Sequence, residues 1–389
     1  MIRCRAPAPV LLLLLLILAG CAAPERQPPA LQLVRLDYAA LPGFGGDNAA
    51  ALASFRRGCA VLMRRADDTP LGGAGYAGTV GDWRDACAAA QQGGAGFFTA
   101  NFTPYEVLGG DGLFTGYYEP QINASRSRHG AFQTPVYGLP ADLVRADLGQ
   151  FIPKLKGEHI SGRVSGHALV PYPDRAAIDR DGIANAPVLL WTDDPVAFFF
   201  LQIQGSGRAL LDDGASVRIA YAGENGQPYS AIGRLLIADG ELTRENVSLQ
   251  SIRAWLMAHA EKADAVMQSN KSYIFFRQSP LDDTALGPQG ALGAALTPLA
   301  SLAVDPRLNA LGAPFFVAAD GPDPVHAILV AQDVGGAIRG PVRGDIFFGF
   351  GPDAERRAGA MKAPGRLFVL LPNALAARIG AGARYGSGQ

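Results

Sequence analysis

Along the chain, apolar positions alternate between two spacings. Leu52, Phe55, Cys59 and Leu62 recur at helical spacing behind Asp47, which predicts a helix to about Ala66 with Asp47 as its N-cap. Asp82 is expected to cap a second, shorter helix carrying Trp83, Cys87 and Ala90. After Gly112 the texture changes to short β-like runs broken by Gly and Pro, as far as about Tyr172. Asp194-Pro195 starts a helix of one or two turns through Phe200. Val217, Ile219 and Tyr221 alternate as one face of a strand. Ser248 caps an amphipathic helix whose stripe is Ile252, Trp255, Leu256 and His259. From Ser272 onward strands dominate: Tyr273 to Phe276, Pro314 to Ala318, Ala327 to Ala331, Ile346 to Phe350 and Leu367 to Leu371. The pattern is mainly β with some helices.

The first twenty residues stand apart. Arg3 and Arg5 precede an apolar run, Leu11 to Ala19, too short to span a bilayer. The run ends in Leu18-Ala19-Gly20-Cys21, a pattern resembling the bacterial lipobox, in which the Cys is lipidated and becomes the new N-terminus. The alternative is an ordinary secretory leader with a chance Cys. Ala22 and Ala23 follow where an inner-membrane lipoprotein carries Asp, so the expected location is the outer membrane, facing the periplasm. Residues 21–45 are Pro-rich and read as a tether.

Composition narrows the classes. Of 389 residues, 49% are hydrophobic and 18% charged, which argues against a disordered chain. Removing the leader takes away Arg3 and Arg5 and leaves 32 basic against 35 acidic residues, net −3, with no basic patch for nucleic acid. The length suggests about two domains. With 48 Gly and 28 Pro, a helical bundle is excluded. In an oxidising compartment Cys59 and Cys87 are either a disulfide or two buried thiols on helix faces.

Stock motifs mostly fail. Gly73, Gly75 and Gly78 fit a dinucleotide fingerprint but follow no strand. Gly205-Ser206-Gly207 lacks the first Gly of a nucleophile elbow. His129, His159, His167, His259 and His326 are scattered, so neither a metal site nor a cofactor is expected. Two stretches carry chemistry. Phe114-Thr115-Gly116-Tyr117-Tyr118-Glu119-Pro120 offers aromatic faces for sugar rings beside a Gly where backbone approaches a ligand; the plainer reading is a core strand and a turn. In the second, a buried strand runs into Asp333, a Gly-rich turn follows, and Asp345 opens the next apolar strand. A carboxylate among apolar neighbours has its charged form disfavoured, which suits a general acid; the plainer reading is a turn with Asp capping amides.

Asp305 in Val304-Asp305-Pro306, Asp333 in Asp333-Val334-Gly335-Gly336 and Asp345 in Gly344-Asp345-Ile346-Phe347 together resemble the three-aspartate "3D" domain. With the Phe114–Glu119 stretch, the 202–207 stretch Gln-Ile-Gln-Gly-Ser-Gly and Gly223 to Tyr229, residues of about 45–373 resemble the membrane-bound lytic murein transglycosylase A family. The resemblance implies two domains with a groove between them. A double-psi β-barrel is built from residues 46–125 and 277–389, with the 3D motif at about 297–372. A smaller β-rich domain is inserted at 126–276. The family cleaves the bond between N-acetylmuramic acid and N-acetylglucosamine in peptidoglycan without water, leaving a 1,6-anhydromuramoyl end. Its single acid-then-base Asp falls on Asp345, and a supporting or binding Asp on Asp333. By motif position Thr115, Tyr117, Gln204, Ser206 and Tyr229 line the groove. Glu119 departs from the family pattern; it raises a second carboxylate candidate but is read as a tolerated variant. The implied partners are glycan strands, the membrane through Cys21, and complexes of cell-wall synthesis. Two rivals remain: a hydrolase using Asp345 with Asp333 or Glu119, its carboxyl groups about 5–9.5 Å apart across one cleft, and a lipoprotein that binds glycan without cleaving it.

Overall fold

A computed structural model describes residues 31–385 apart from 280, 282, 322 and 381; the leader and Cys21 lie outside the described residues. The chain opens with β1 (Leu31–Arg35), helices α1 (Ala49–Leu62), α2 (Arg84–Gln92) and α3 (Phe97–Asn101), then β2 (Phe102–Leu108) and β3 (Leu113–Glu119). A long middle section follows: β4 (Gln121–Ser125), β5 (Thr134–Tyr137), β6 (Val144–Asp147), β7 (His159–Ser165), β8 (Ala168–Pro171), α4 (Arg175–Asp181), β9 (Val188–Thr192), α5 (Pro195–Gln204), β10 (Ser206–Leu211), β11 (Ser216–Glu224), α6 (Ile232–Ala238), α7 (Leu249–Ala258), α8 (Ala260–Gln268) and β12 (Ile274–Ser279). The last section holds β13 (Ser301–Val304), β14 (Pro314–Ala319), β15 (Val325–Val334), β16 (Arg343–Phe350), α9 (Gly351–Ala360), β17 (Lys362–Pro372), α10 (Asn373–Ile379) and β18 (Gly382–Tyr385).

The first and last sections share one sheet. Its strands β14, β15, β13, β16, β3 and β17 pair in that order, and β17 pairs back onto β14, so six strands close into a ring. The sheet continues from β17 through β2 and β1 to β18. The ring accounts for the continuous apolar runs: every residue of β14 and residues Leu367–Pro372 of β17 are buried, as strands covered on both faces must be. Helix α1 lays Leu52, Phe55, Cys59 and Leu62 on this core, and Cys59 bonds to Cys87 of α2 across a 5.5 Å Cα separation. The open choice between disulfide and two thiols thus resolves to a disulfide.

The middle section forms a second sheet of six strands, in the order β12-β11-β10-β4-β9-β5, and a small separate one, β6-β7-β8. β4 (Gln121–Ser125), ahead of the expected boundary at 126, already belongs to this second sheet, and so does β12, which runs to Ser279. A larger correction falls at the N-terminus. Residues 31–35 are not tether: Leu31 and Leu33 are fully buried, and β1 pairs with both β2 and β18. Pro-rich flanks hid a strand that only its neighbours stabilise. Among the helices, Asp82 caps no α-helix; it sits third in a 3-10 turn and closes a capping box on Thr79. Asn48 rather than Asp47 is the N-cap of α1. Asp194 and Ser248 do cap α5 and α7 with their side chains, and α5 runs a turn longer than expected.

Candidate active site

Four adjacent strands of the ring bring the chemistry together. Asp345 on β16 lies opposite Thr115 on β3 on one side and opposite Ala303 on β13 on the other. Ala303 in turn lies opposite Asp333 on β15. The row Thr115, Asp345, Ala303, Asp333 thus crosses the sheet, and the two Asp backbones stand two strand spacings apart, roughly 10 Å. Ala303 keeps the space between the carboxylates free of a large side chain.

Asp333 reaches this row through an irregularity. The register between β13 and β15 slips between Leu302 and Ala303: Leu302 pairs with Ala331, but Ala303 pairs with Asp333. Gln332 is the extra residue of a β-bulge. Strand side chains alternate between faces, so an unbroken register would put Gln332 in the row and turn Asp333 away. Gln332 is buried and held on every side. Its Oε1 accepts from Ser54 of α1 at 2.9 Å and from Ser301 at 2.6 Å, and its Nε2 donates to the Ser54 carbonyl at 2.9 Å.

The two carboxylates are treated differently. Both oxygens of Asp333 are engaged: the Tyr117 hydroxyl donates to Oδ2 and the Ala291 amide to Oδ1, each at 3.0 Å. The Tyr117 ring packs on Phe347, centroids 5.2 Å apart. Burial, with the charges of Asp333 and Asp345, pushes the Tyr117 phenol well above its ordinary value, so it stays a donor. Asp345 accepts one hydrogen bond at Oδ1, from the Thr115 hydroxyl at 2.5 Å. Thr115 accepts in turn from the Arg343 guanidinium at 2.7 Å. Among the described residues Asp345 Oδ2 accepts no hydrogen bond. Burial pushes the Asp345 carboxyl above the usual carboxylate range and the Asp333 charge adds to it; the Thr115 hydroxyl and Arg343 oppose the rise without cancelling it.

The third aspartate has another task. Asp305, fully buried just after β13, takes the Arg307 guanidinium at 2.9 and 2.7 Å and the Gly340 amide at 3.0 Å. It pins the turn that joins β15 to β16, and with it the spacing of Asp333 and Asp345. Glu119 also leaves the list of candidate acids. It is 2% exposed, and its two oxygens pair with Arg218 at 2.8 Å and Arg208 at 3.1 Å. Those arginines sit on β10 and β11, so the triad joins the end of β3 to the inserted sheet. Gly116 serves packing and not ligand approach: a Cβ there would stand 2.6 Å from the Phe348 ring and 2.8 Å from the Ala358 Cα of α9.

Of the expected lining residues, the ring brings Thr115 and Tyr117 to the aspartates. It does not bring the other three into this hydrogen-bonded set. Gln204 is exposed at the end of α5, Ser206 opens β10 opposite Ala220, and Tyr229 is 58% exposed in the segment after β11. Arg343, Ala303, Gln332 and Ala291 escaped the sequence reading. Only Arg343, two residues before Asp345 and therefore on the same strand face, left a signal there.

Residues 113–277 match the model of the MltA specific insert domain, and residues 300–371 that of the 3D domain. Membrane-bound lytic murein transglycosylase A of Escherichia coli K12 is 32% identical over 271 residues, 67% of this chain and 66% of that protein, just short of two thirds of its length. The crystal structure of MltA from Neisseria gonorrhoeae superposes with a TM-score of 0.74 at 31% identity, over 90% of this chain and 94% of that one. The structure of E. coli MltA with bound chitohexaose superposes with a TM-score of 0.61 at 26% identity, over 89% and 95%. With its mostly β chain and closed strand ring, this protein belongs to the membrane-bound lytic murein transglycosylase A family and carries its 3D domain.

Proposed function

We propose that this chain is a peptidoglycan lytic transglycosylase in which Asp345 serves first as acid and then as base. The observation that carries the reading is the asymmetry of the two carboxylates. Asp345 holds its proton above the usual carboxylate range and keeps Oδ2 open, whereas both oxygens of Asp333 are committed. Support for the substrate comes from the relatives named as murein transglycosylases and from the chitohexaose bound to E. coli MltA, a chain of N-acetylglucosamine units.

Protonated Asp345 donates to the glycosidic oxygen as the bond to the muramoyl C1 breaks, and positive charge develops on that ring. The nearby Asp333 carboxylate favours that charge. Asp345, now a carboxylate, takes the proton of the muramoyl C6 hydroxyl, and the C6 oxygen closes on C1. One proton moves to the leaving sugar and one returns to Asp345, so no water is added. An intramolecular nucleophile needs no second carboxylate to activate water. With Glu119 locked in its ion triad, a hydrolase would need Asp333 as its base, a role its two donors oppose. Lipidation at Cys21, which rests on the 18–21 pattern, and outer-membrane placement, which rests on Ala22 and Ala23, belong to the same reading.

The test is product analysis by mass spectrometry. Purified sacculi are digested with the wild type and with Asp345→Asn. Muropeptides lighter by one water than reducing-end products, made by the wild type and lost in the variant, support the reading. Reducing ends would replace it with hydrolysis, and soluble products undiminished in the variant would remove Asp345 from its role.

A further inference from the structure

The small sheet β6-β7-β8 leaves an apolar face uncovered. Its register puts Val144, Ala146, Ile160, Gly162, Val164, Leu169 and Pro171 on one face. The other face is mixed: it carries Arg145, Asp147, His159, Ser161, Arg163 and Ser165 together with Ala168 and Val170. A surface sheet ordinarily turns its apolar face inward. Here Ser161 and His159 of the mixed face lie near the body, while Arg145, Asp147, Arg163 and Ser165 on it are exposed. Ser161 atoms stand within 3.1 Å of where a Cβ on Gly226 would be, and His159 lies 3.7 Å from Glu224 at the end of β11. The apolar face looks outward, with Val164 64%, Ile160 46% and Leu169 41% exposed. At its end, the connection from β6 to β7 lifts Phe151 to 75% and Ile152 to 45% exposure, next to exposed Lys154 and Lys156.

We propose that this face and its tip dock on a phospholipid bilayer. Contiguous exposed apolar area of this kind marks an interaction surface. The tip chooses among partners. Phe151, Ile152 and Leu155 interleaved with two lysines suit an interface where apolar side chains enter the acyl boundary and ammonium groups meet phosphate. A two-fold contact between copies through this tip brings Lys154 and Lys156 toward their own equivalents, while the bilayer supplies the opposite charge. Nine residues lie between Cys21 and Leu31, so a lipid at Cys21 keeps β1 within roughly 36 Å of the bilayer. That step rests on the lipid-anchor reading; the face itself does not. One lipid-borne contact and one protein-borne contact together fix orientation, which a tether alone leaves free.

The experiment therefore uses the unlipidated chain from residue 22, which contains every described strand and helix. It is sedimented with vesicles of phosphatidylethanolamine and phosphatidylglycerol. We expect the wild type to sediment with them, and Phe151→Ser with Ile152→Ser to weaken partition by roughly a hundredfold. Lys154→Glu with Lys156→Glu should abolish the preference for anionic over neutral vesicles. Muropeptide release from isolated sacculi stays unchanged in all variants, which shows them folded and keeps the enzymatic reading separate. No sedimentation of the wild type, or equal sedimentation of the Phe151/Ile152 variant, overturns the proposal. So does concentration-dependent dimerisation that the same variant abolishes, which gives the face to a second copy. Lipidation itself is read separately, from the N-terminal mass of the membrane-extracted protein.

Discussion

Asp305, the residue after β13, and Asp345 on the neighbouring strand β16 have acidities that move in opposite directions. Burial raises both. At Asp305 the Arg307 guanidinium and the Gly340 and Arg307 amides outweigh it, and the carboxyl ends below its ordinary range. At Asp345 one hydroxyl and the partly offset charge of Arg343 do not outweigh it, and the carboxyl ends above. Burial therefore does not make an acid; the number of donors left in place decides. The Asp305 corner is built to keep charge and hold a turn. The Asp345 row leaves its carboxyl neutral to a higher pH than usual.

The contrast can be broken from several sides. Asp345→Asn should lower the rate of muropeptide release by about 10²–10⁴-fold, the usual share of a general acid. Its unfolding midpoint at neutral pH should not fall. A carboxyl with a raised folded pKa penalises the fold once ionised, so the wild type gains on the variant as pH drops through that raised pKa. Loss of stability at neutral pH would refute the assignment of a desolvated acid. Next comes Gln332→Leu. It leaves the Ser54 and Ser301 hydroxyls without their buried acceptor, at a cost of about 1–3 kcal/mol. It also frees the bulge that aims Asp333, and a slip of that size in a site costs up to about 10²-fold in rate. Chemical denaturation and single-turnover rates separate the two effects; a variant that loses stability alone would show that the bulge does not matter to the chemistry.

Asp305→Asn should act the other way round. Stability at neutral pH falls by about 1–3 kcal/mol as charged acceptor bonds are lost, while the rate per folded molecule changes little. Here the folded pKa is depressed, so the advantage of the wild type is present above the ordinary Asp range and fades as pH falls through the depressed value. Urea unfolding at a series of pH values reads it. The smallest effects are shifts of the alkaline limb of the pH–rate profile. Thr115→Val removes a bond to the Asp345 carboxylate and should move the limb up; Asp333→Asn removes a neighbouring charge and should move it down. Shifts of the same sign in both variants would contradict the electrostatics described for the row.

The strand runs of the ring, the α1 stripe and the caps Asp194 and Ser248 were legible because each depends on spacing within a few residues. Strand β1 was not, because Leu31 and Leu33 acquire meaning only between β2 and β18. Asp82 looked like a helix cap, yet the chain tightens to a 3-10 turn before α2, and Thr79 takes the capping position. Glu119 looked like a spare acid, since nothing near it in sequence announces Arg208 and Arg218. Of the candidate site, Asp345, Asp333, Thr115 and Tyr117 were found by motif and are joined by the ring; Gln204, Ser206 and Tyr229 were found the same way and are not.

By itself the sequence determined the residue types: aspartates at strand mouths, a hydroxyl and a phenol on alternating positions of one strand, and buried runs long enough to build a closed sheet. Those follow from local periodicity and from the chemistry of each side chain. The tertiary structure decided which Asp keeps its proton. A carboxyl responds to every donor and charge within a few ångströms, and those arrive from β3, β15, the Arg343 end of β16 and the 287–297 segment. It also decided that Asp333 faces Asp345 at all, through one bulged residue whose partners lie 278 positions away in α1.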